Sequence, residues 1–158
     1  MEIEIRRAQE RDIPDLHRML LETAAFHGAY RPDIFKSGAA KYSIEELTAL
    51  LTQNNEYAIF AAQAEEKVCG YVFCILQTVR DHPLLQDRRE LYVDDLFVDR
   101  EYRSNGIARL LMQQAQAFAK QENCDCVTLN VWNFPETARG FYEKAGYTER
   151  KRYMELPL

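Results

Sequence analysis

The stretch LYVDDLFVDREYRSNGIARLLMQQAQAFA, residues 91–119, limits the possible folds more than any other part of the chain. Its first eight residues are β-favouring and apolar except for two adjacent carboxylates, Asp94 and Asp95. They pass through a short polar turn into a helix expected over residues 107–120, with Ile107, Leu110, Leu111, Ala115 and Phe118 on one face and glutamines opposite. A strand that feeds a helix so directly belongs in a sheet with that helix packed on it. The turn has a chemical side as well. The first N–H groups of a helix have no partner inside it and point back at the loop, where they attract anions. Gly106 leaves out a Cβ where a ligand would approach the backbone, Ser104 and Asn105 add polar atoms, and Arg103 and Arg109 add positive charge. The same glycine serves equally well as a plain turn residue, so on local grounds both readings stand.

Around this unit the chain reads as one alternating α/β sequence without repeats or low-complexity segments. Ile3 and Ile5 alternate with glutamates as an opening strand; Asp12 is placed to cap a helix carrying Ile13, Leu16, Met19 and Leu20, with Pro14 in its first turn. A loop is expected over residues 26–42, then a short helix, IEELTALLTQ, opened by a Ser43–Glu46 capping box. Two strand-like runs, EYAIFAAQAE and VCGYVFCILQTV, flank a charged turn as a hairpin. After the central unit come a strand, VTLNVW, a helix near ETARGFYEKAG ended by Gly146, and a last strand, YTERKRYMEL. The fold class is therefore α/β (α+β): one mixed sheet with helices on both faces.

With 158 residues, 47% hydrophobic and 28% charged, the chain suits one ordered domain. A net charge of −5 disfavours a nucleic-acid partner and suits a cationic small molecule better. No run is long and apolar enough for a membrane span, and the charged N-terminus lacks the apolar centre of a signal peptide, so a cytoplasmic location is expected. Cys69, Cys74, Cys124 and Cys126 show no zinc-site spacing with one another or with His17, His27 and His82, so free thiols and no metal are expected. There is no Gly-Lys-Ser/Thr and no Gly-x-Gly-x-x-Gly, which removes support for nucleoside triphosphate hydrolysis and for hydride transfer.

LYVDDLFVDREYRSNGIARLL resembles motif A of the GNAT superfamily of N-acetyltransferases, with Arg103, Gly106 and Ala108 at the positions of its Arg/Gln-x-x-Gly-x-Gly/Ala signature. NVWNFPETARGFYEKAGY resembles motif B, which ends in a Phe-Tyr pair followed by glycine and an aromatic. The resemblance implies a mostly antiparallel mixed sheet with splayed central strands and acetyl-coenzyme A between them. The pyrophosphate would rest on backbone groups of Arg103, Ser104, Asn105, Gly106, Ile107 and Ala108, and Leu96, Phe97 and Val98 would pair with the pantetheine arm. An N–H there would polarise the thioester carbonyl. The family asparagine of motif B is replaced by Pro135, which has no N–H, and Asn133 is its substitute.

Acetyl transfer to an amine needs a base for the ammonium and an acid for the departing thiolate. Tyr142 matches the family acid; as a plain aromatic it would pack with Phe141 and Tyr147. The base is assigned to Asp94 ahead of Asp95, whose side chain points to the opposite face of a regular strand, with a water relay as the alternative. His27, Tyr30, Asp33 and Phe35, in the expected 26–42 loop, suit an amine-bearing substrate. The expected activity is direct acetyl transfer to a primary amine, preferably a small cationic one. Expected partners are that amine and neither nucleic acid nor membrane, with a homodimer left open. The competing readings are a silent acyl-CoA-binding module, a protein-lysine or N-terminal acetyltransferase, and a nucleotide-binding regulatory domain.

Overall fold

In the computed structural model, which describes residues 2–135 and 138–158, five strands form one sheet in the order β1-β2-β3-β4-β5. They are β1 (Ile3–Arg7), β2 (Tyr57–Ala64), β3 (Lys67–Val79), β4 (Arg88–Val98) and β5 (Cys126–Leu129). Neighbours are antiparallel except β4 and β5, which run parallel because helix α3 (Ile107–Gln121) carries the chain back between them. Helices α1 (Ile13–Tyr30) and α2 (Ile44–Thr52) cover one face and α3 the other, as expected.

The two cores follow from alternation along β2. Ala58, Phe60, Ala62 and Ala64 face α3, and Ile59 and Ala61 face α1 and α2. Both faces are covered, so the strand reads as an unbroken apolar run. On the α3 side Leu91, Val93 and Val98 of β4 meet Ile107, Leu111, Met112, Ala115 and Phe118. On the other side Leu16, Met19, Leu20 and Leu47 pack on Tyr71 and Phe73 of β3.

Local chemistry sets most boundaries. The Ser43–Glu46 capping box forms reciprocally, Glu46 N–H donating to Ser43 Oγ at 3.1 Å and Ser43 N–H to Glu46 Oε2 at 2.8 Å. Helix α4 (Arg139–Lys144) ends where Gly146 takes a φ of +92°; Gly146 N–H donates to Glu143 O and Tyr147 N–H to Tyr142 O, both at 3.0 Å, which closes the last turn. The expected start of this helix at Glu136 and Thr137 lies outside the described residues.

Four expectations need correction. Helix α1 continues to Tyr30, so His27 and Tyr30 are helical rather than in a loop; the packing of their rings against Phe134 outweighs Gly28 within the helix. Asp12 does not cap α1 with its side chain: its carboxylate takes Arg6 in a bidentate pair at 2.7 and 2.9 Å and accepts the Gln9 N–H at 2.8 Å. Residues 147–158 form no strand. Their arginines and glutamates reach outward or to Glu90 and Arg31, and Tyr153, Met154 and Leu156 stay exposed instead of covering a sheet face. Finally, β4 is not a regular strand. Opposite β3 the register jumps from Phe73↔Asp95 to Cys74↔Val93, which leaves Asp94 as the extra residue of a bulge.

Candidate active site

The bulge decides where the two carboxylates go. Leu91 and Val93 face α3, and so do Leu96 and Val98; the odd step from 93 to 96 is the bulge read in burial. Both aspartates consequently turn toward the α1 and α2 side. Asp94 accepts from Lys41 Nζ at 2.7 Å and from the Tyr42 hydroxyl at 2.7 Å, and its backbone oxygen takes a further bond from Lys41 at 3.0 Å. Tyr42 is itself stacked on Phe73. Both acceptor oxygens of Asp94 are thus committed to residues just before the Ser43 cap.

Asp95 is held by other groups, the Leu96 N–H and the Tyr71 hydroxyl. Burial pushes its carboxyl up to about 6; Lys41 pulls it down, and Asp94 pushes it further up. Its charge acts in turn on Tyr71 and on Tyr142. Tyr142 lies on α4 against Phe141 and Tyr147, and burial first, then the charge of Asp95, pushes its hydroxyl up to about 12. At neutral pH that tyrosine holds its proton. A carboxylate with enhanced proton affinity thus stands within electrostatic reach of a protonated phenol.

The same place is where the sheet opens. The β4–β5 ladder ends at Val93↔Leu129, although β4 runs on to Val98. The β5-facing backbone edge of residues 94–98, which holds Leu96, Phe97 and Val98, is therefore left without that neighbour. Beyond it the chain turns through Ser104, at φ +66°, and Gly106, at φ +76° and ψ 6°, into α3. The left-handed conformation is what requires glycine at 106. No side chain caps this helix, so the N–H groups of Ile107 and Ala108 point into the turn. A Cβ at Gly106 would lie 4.0 Å from Arg109 Nη2, so a guanidinium overhangs the helix start. Arg103 is used otherwise: Nε donates to Val98 O at 3.0 Å and the guanidinium lies over Phe97. Asn105 braces the turn by donating to Tyr102 O and Arg103 O. An extended arm along 94–98 with a diphosphate at 106–108 fits this edge and this turn.

The residues expected at the acceptor side also meet. His27 stacks on Phe35 with ring centres 5.1 Å apart, and Tyr30 stacks on Phe134 at 4.8 Å. Asp33, in contrast, is occupied by Arg31 at 2.7 Å, and Asn133 is exposed in the segment after β5. Sequence reasoning missed Lys41, Tyr42, Trp132 and Phe134. The signal for the first two was their position immediately before the Ser43 cap; for Trp132 it was being the single tryptophan of the chain.

A model of the Acetyltransferase (GNAT) family matches residues 18–147. The chain belongs to that family. Among GNAT relatives, human N-acetyltransferase 8B is 29% identical over 109 residues, 69% of this chain and 46% of that protein. The chain spans less than half the length of the human relatives it matches. The N-acetyltransferase YhfO of Bacillus subtilis is 25% identical over 135 residues, 85% of this chain and 87% of that one. Among solved structures, a mutant form of the BH1408 protein from Bacillus halodurans superposes with a TM-score of 0.92 at 29% identity, over 98% of this chain and 99% of that one. The GNAT fold of splayed central strands is thus shared over nearly the whole length. Among the described residues no helix is long and apolar enough to cross a membrane, and no cluster of metal-ligating side chains occurs.

Proposed function

We propose that the protein is an N-acetyltransferase that uses acetyl-coenzyme A to acetylate a primary amine by direct transfer. The observation that carries this is the opening of the sheet between β4 and β5 just where Asp95 and Tyr142 stand. Acetyl-coenzyme A, when bound, supplies the acyl thioester. The open backbone edge of 94–98 pairs with an extended amide-bearing arm, and the N–H groups of Ile107 and Ala108, with the Arg109 guanidinium, hold its phosphates. An N–H of the 94–98 edge donates to the carbonyl oxygen under attack, where negative charge develops.

Asp95 takes the proton from the acceptor ammonium, directly or through one water. Asp94 holds the loop that carries Lys41 and Tyr42, and Lys41 keeps the Asp95 carboxyl from rising further. The geometry therefore favours Asp95 over Asp94 as base, the reverse of the order expected for a regular strand. Tyr142 keeps a proton on its hydroxyl for the departing sulfur. Family membership, the folded site and the absence of a nucleophile motif at the thiols support direct transfer over a covalent enzyme intermediate.

The experiment is thiol release from acetyl-coenzyme A with a panel of amines, for wild type and Tyr142→Phe. The expected result is turnover in the wild type and a loss of about 10²- to 10⁴-fold in the variant, the usual scale for a general acid. Equal turnover in both would reduce Tyr142 to a packing aromatic.

A further inference from the structure

We propose that the acceptor amine is carried on an aromatic or similarly flat apolar body, which lies on a wall of rings contributed by three separate segments. The inference rests on the amine-acetyltransferase reading and narrows its substrate. Phe26, His27 and Tyr30 come from the end of α1, Phe35 from the segment that follows, and Trp132 and Phe134 from the chain beyond β5. Their rings form one connected group. Trp132 stacks on Phe134 at 5.6 Å, Phe35 meets Trp132 edge-on at 5.1 Å, and Phe26 meets Tyr30 at 5.2 Å and Phe134 at 6.2 Å.

None of the six rings belongs to either core of the sheet. Phe134 is buried at the centre of the group, but Phe26 and Trp132 keep 40% and 39% of their surface exposed. Such a patch of large aromatics outside the core marks a binding surface. Its position fits the acceptor. Trp132 lies three residues past Leu129, where β5 parts from β4, and His27 is near enough to Lys41 to feel its charge, while Lys41 holds Asp94. The wall therefore borders the opening that contains Asp95.

The chemistry of the wall selects among amines. Burial and the charge of Lys41 both push the His27 imidazole down, so it presents an uncharged ring at neutral pH. Among the described residues, Asp33 and Glu155, which share Arg31 at the end of α1, are both paired with that guanidinium. A linear polyamine would want free carboxylates along its length, and a polyhydroxylated amino sugar would want hydrogen-bonding side chains; this wall offers chiefly ring faces. Stacking and contact between ammonium and ring faces favour an aryl group on a short alkyl amine, with its ammonium directed to Asp95.

The single tryptophan makes the wall testable apart from catalysis. Phenethylamine, its N,N-dimethyl derivative, which no acetyl transfer can consume as an amide, n-propylamine and spermidine are titrated while Trp132 emission and thiol release are followed. The expected result is a saturable blue shift or quench with both phenethyl compounds, competition by the dimethyl derivative against phenethylamine turnover, and a kcat/KM for phenethylamine well above those for n-propylamine and spermidine. In Phe35→Ala, and independently in Phe26→Ala at a more exposed ring, the ratio of kcat/KM for phenethylamine to that for n-propylamine falls at least about tenfold through KM. Emission that ignores both phenethyl compounds, or a preference for spermidine or n-propylamine, would overturn the proposal. Saturable emission changes without thiol release from any amine would uphold the wall and overturn the acetyltransferase reading instead.

Discussion

The two halves of β4 belong to one continuous strand and each mixes charged with apolar residues, yet they differ in what lies beside them. Residues 88–93 pair with β3 on one side, and from Glu90 to Val93 with β5 on the other. Residues 94–98 keep β3 but lose β5. In the first half the ladder satisfies the backbone and side chains such as Leu91 contribute burial alone. In the second half an open edge and a largely buried carboxyl remain, which the proposed acetyl-coenzyme A arm and acceptor amine would complete. The bulge at Asp94 is the seam, and Lys41 and Tyr42 pin it.

The contrast breaks most sharply at Asp95. Asp95→Asn should lower kcat/KM by about 10²- to 10⁴-fold at neutral pH and remove the acidic limb expected near pH 6. Stability should move the other way. A carboxyl raised in the folded state from 3.8 to about 6 stabilises the fold only when protonated; that contribution is whole below 3.8 and is lost as pH rises through 6. At pH 8 the ionised group therefore costs on the order of 3 kcal/mol, which asparagine avoids. Thermal melts at pH 8 and pH 4 check this: the variant should melt higher at pH 8 and converge with wild type at pH 4. A variant that is less stable at pH 8 and equally active would make Asp95 a structural group.

The paired half should respond in the opposite sense. Leu91 is fully buried against α3, so Leu91→Ala should destabilise by about 2–5 kcal/mol. The pH dependence of kcat/KM, measured below the variant's melting range, should keep the wild-type midpoint. A displaced midpoint would mean that the two halves are coupled through the sheet.

Lys41 sharpens the comparison at the seam. Its charge pulls the Asp95 carboxyl down, so Lys41→Met should raise the midpoint of the acidic limb, by about one unit, with less than about a tenfold loss of rate at pH 8.5. The pH profile is the measurement. A midpoint that falls or stays would separate Asp95 from the titration that limits the rate.

How much of this was readable beforehand depends on whether the cause was local. The capping box, the Gly106 turn, the hairpin and the amphipathic α3 arise from neighbours in sequence, and each formed as expected. The bulge was also written in the chain, as apolar residues at 91 and 93 followed by 96 and 98, where a regular strand would put Asp94 and Asp95 on opposite faces. The partner of Asp12, the length of α1 and the ring wall depend on residues tens of positions away, which no local pattern encodes. Of the site, the turn, Tyr142 and both aspartates were visible as candidates; the different surroundings of Asp94 and Asp95 were not, because they depend on Lys41 and Tyr42.

The smallest effect is expected at the C-terminal segment, which fails as a strand for a reason that can be tested. Thr148 to Leu156 alternate poorly between apolar and charged residues, and nothing covers Tyr153, Met154 and Leu156. The segment is held by exposed arginines, Arg150 to Glu90 at 2.7 Å and Arg31 to Glu155 at 2.6 Å, and such pairs contribute little because water screens them and long side chains lose freedom in making them. Arg150→Ala should therefore leave the melting midpoint within about 3 °C of wild type. Hydrogen exchange adds the decisive contrast: amides of residues 148–156 should exchange within seconds to minutes, while those of Leu91 and Val93, laddered between β3 and β5, should be protected to near the global unfolding limit. Strong protection at 148–156 would mean that this segment joins the sheet edge at β5 in solution, and the open half of β4 would then be bordered by a longer sheet than the one described.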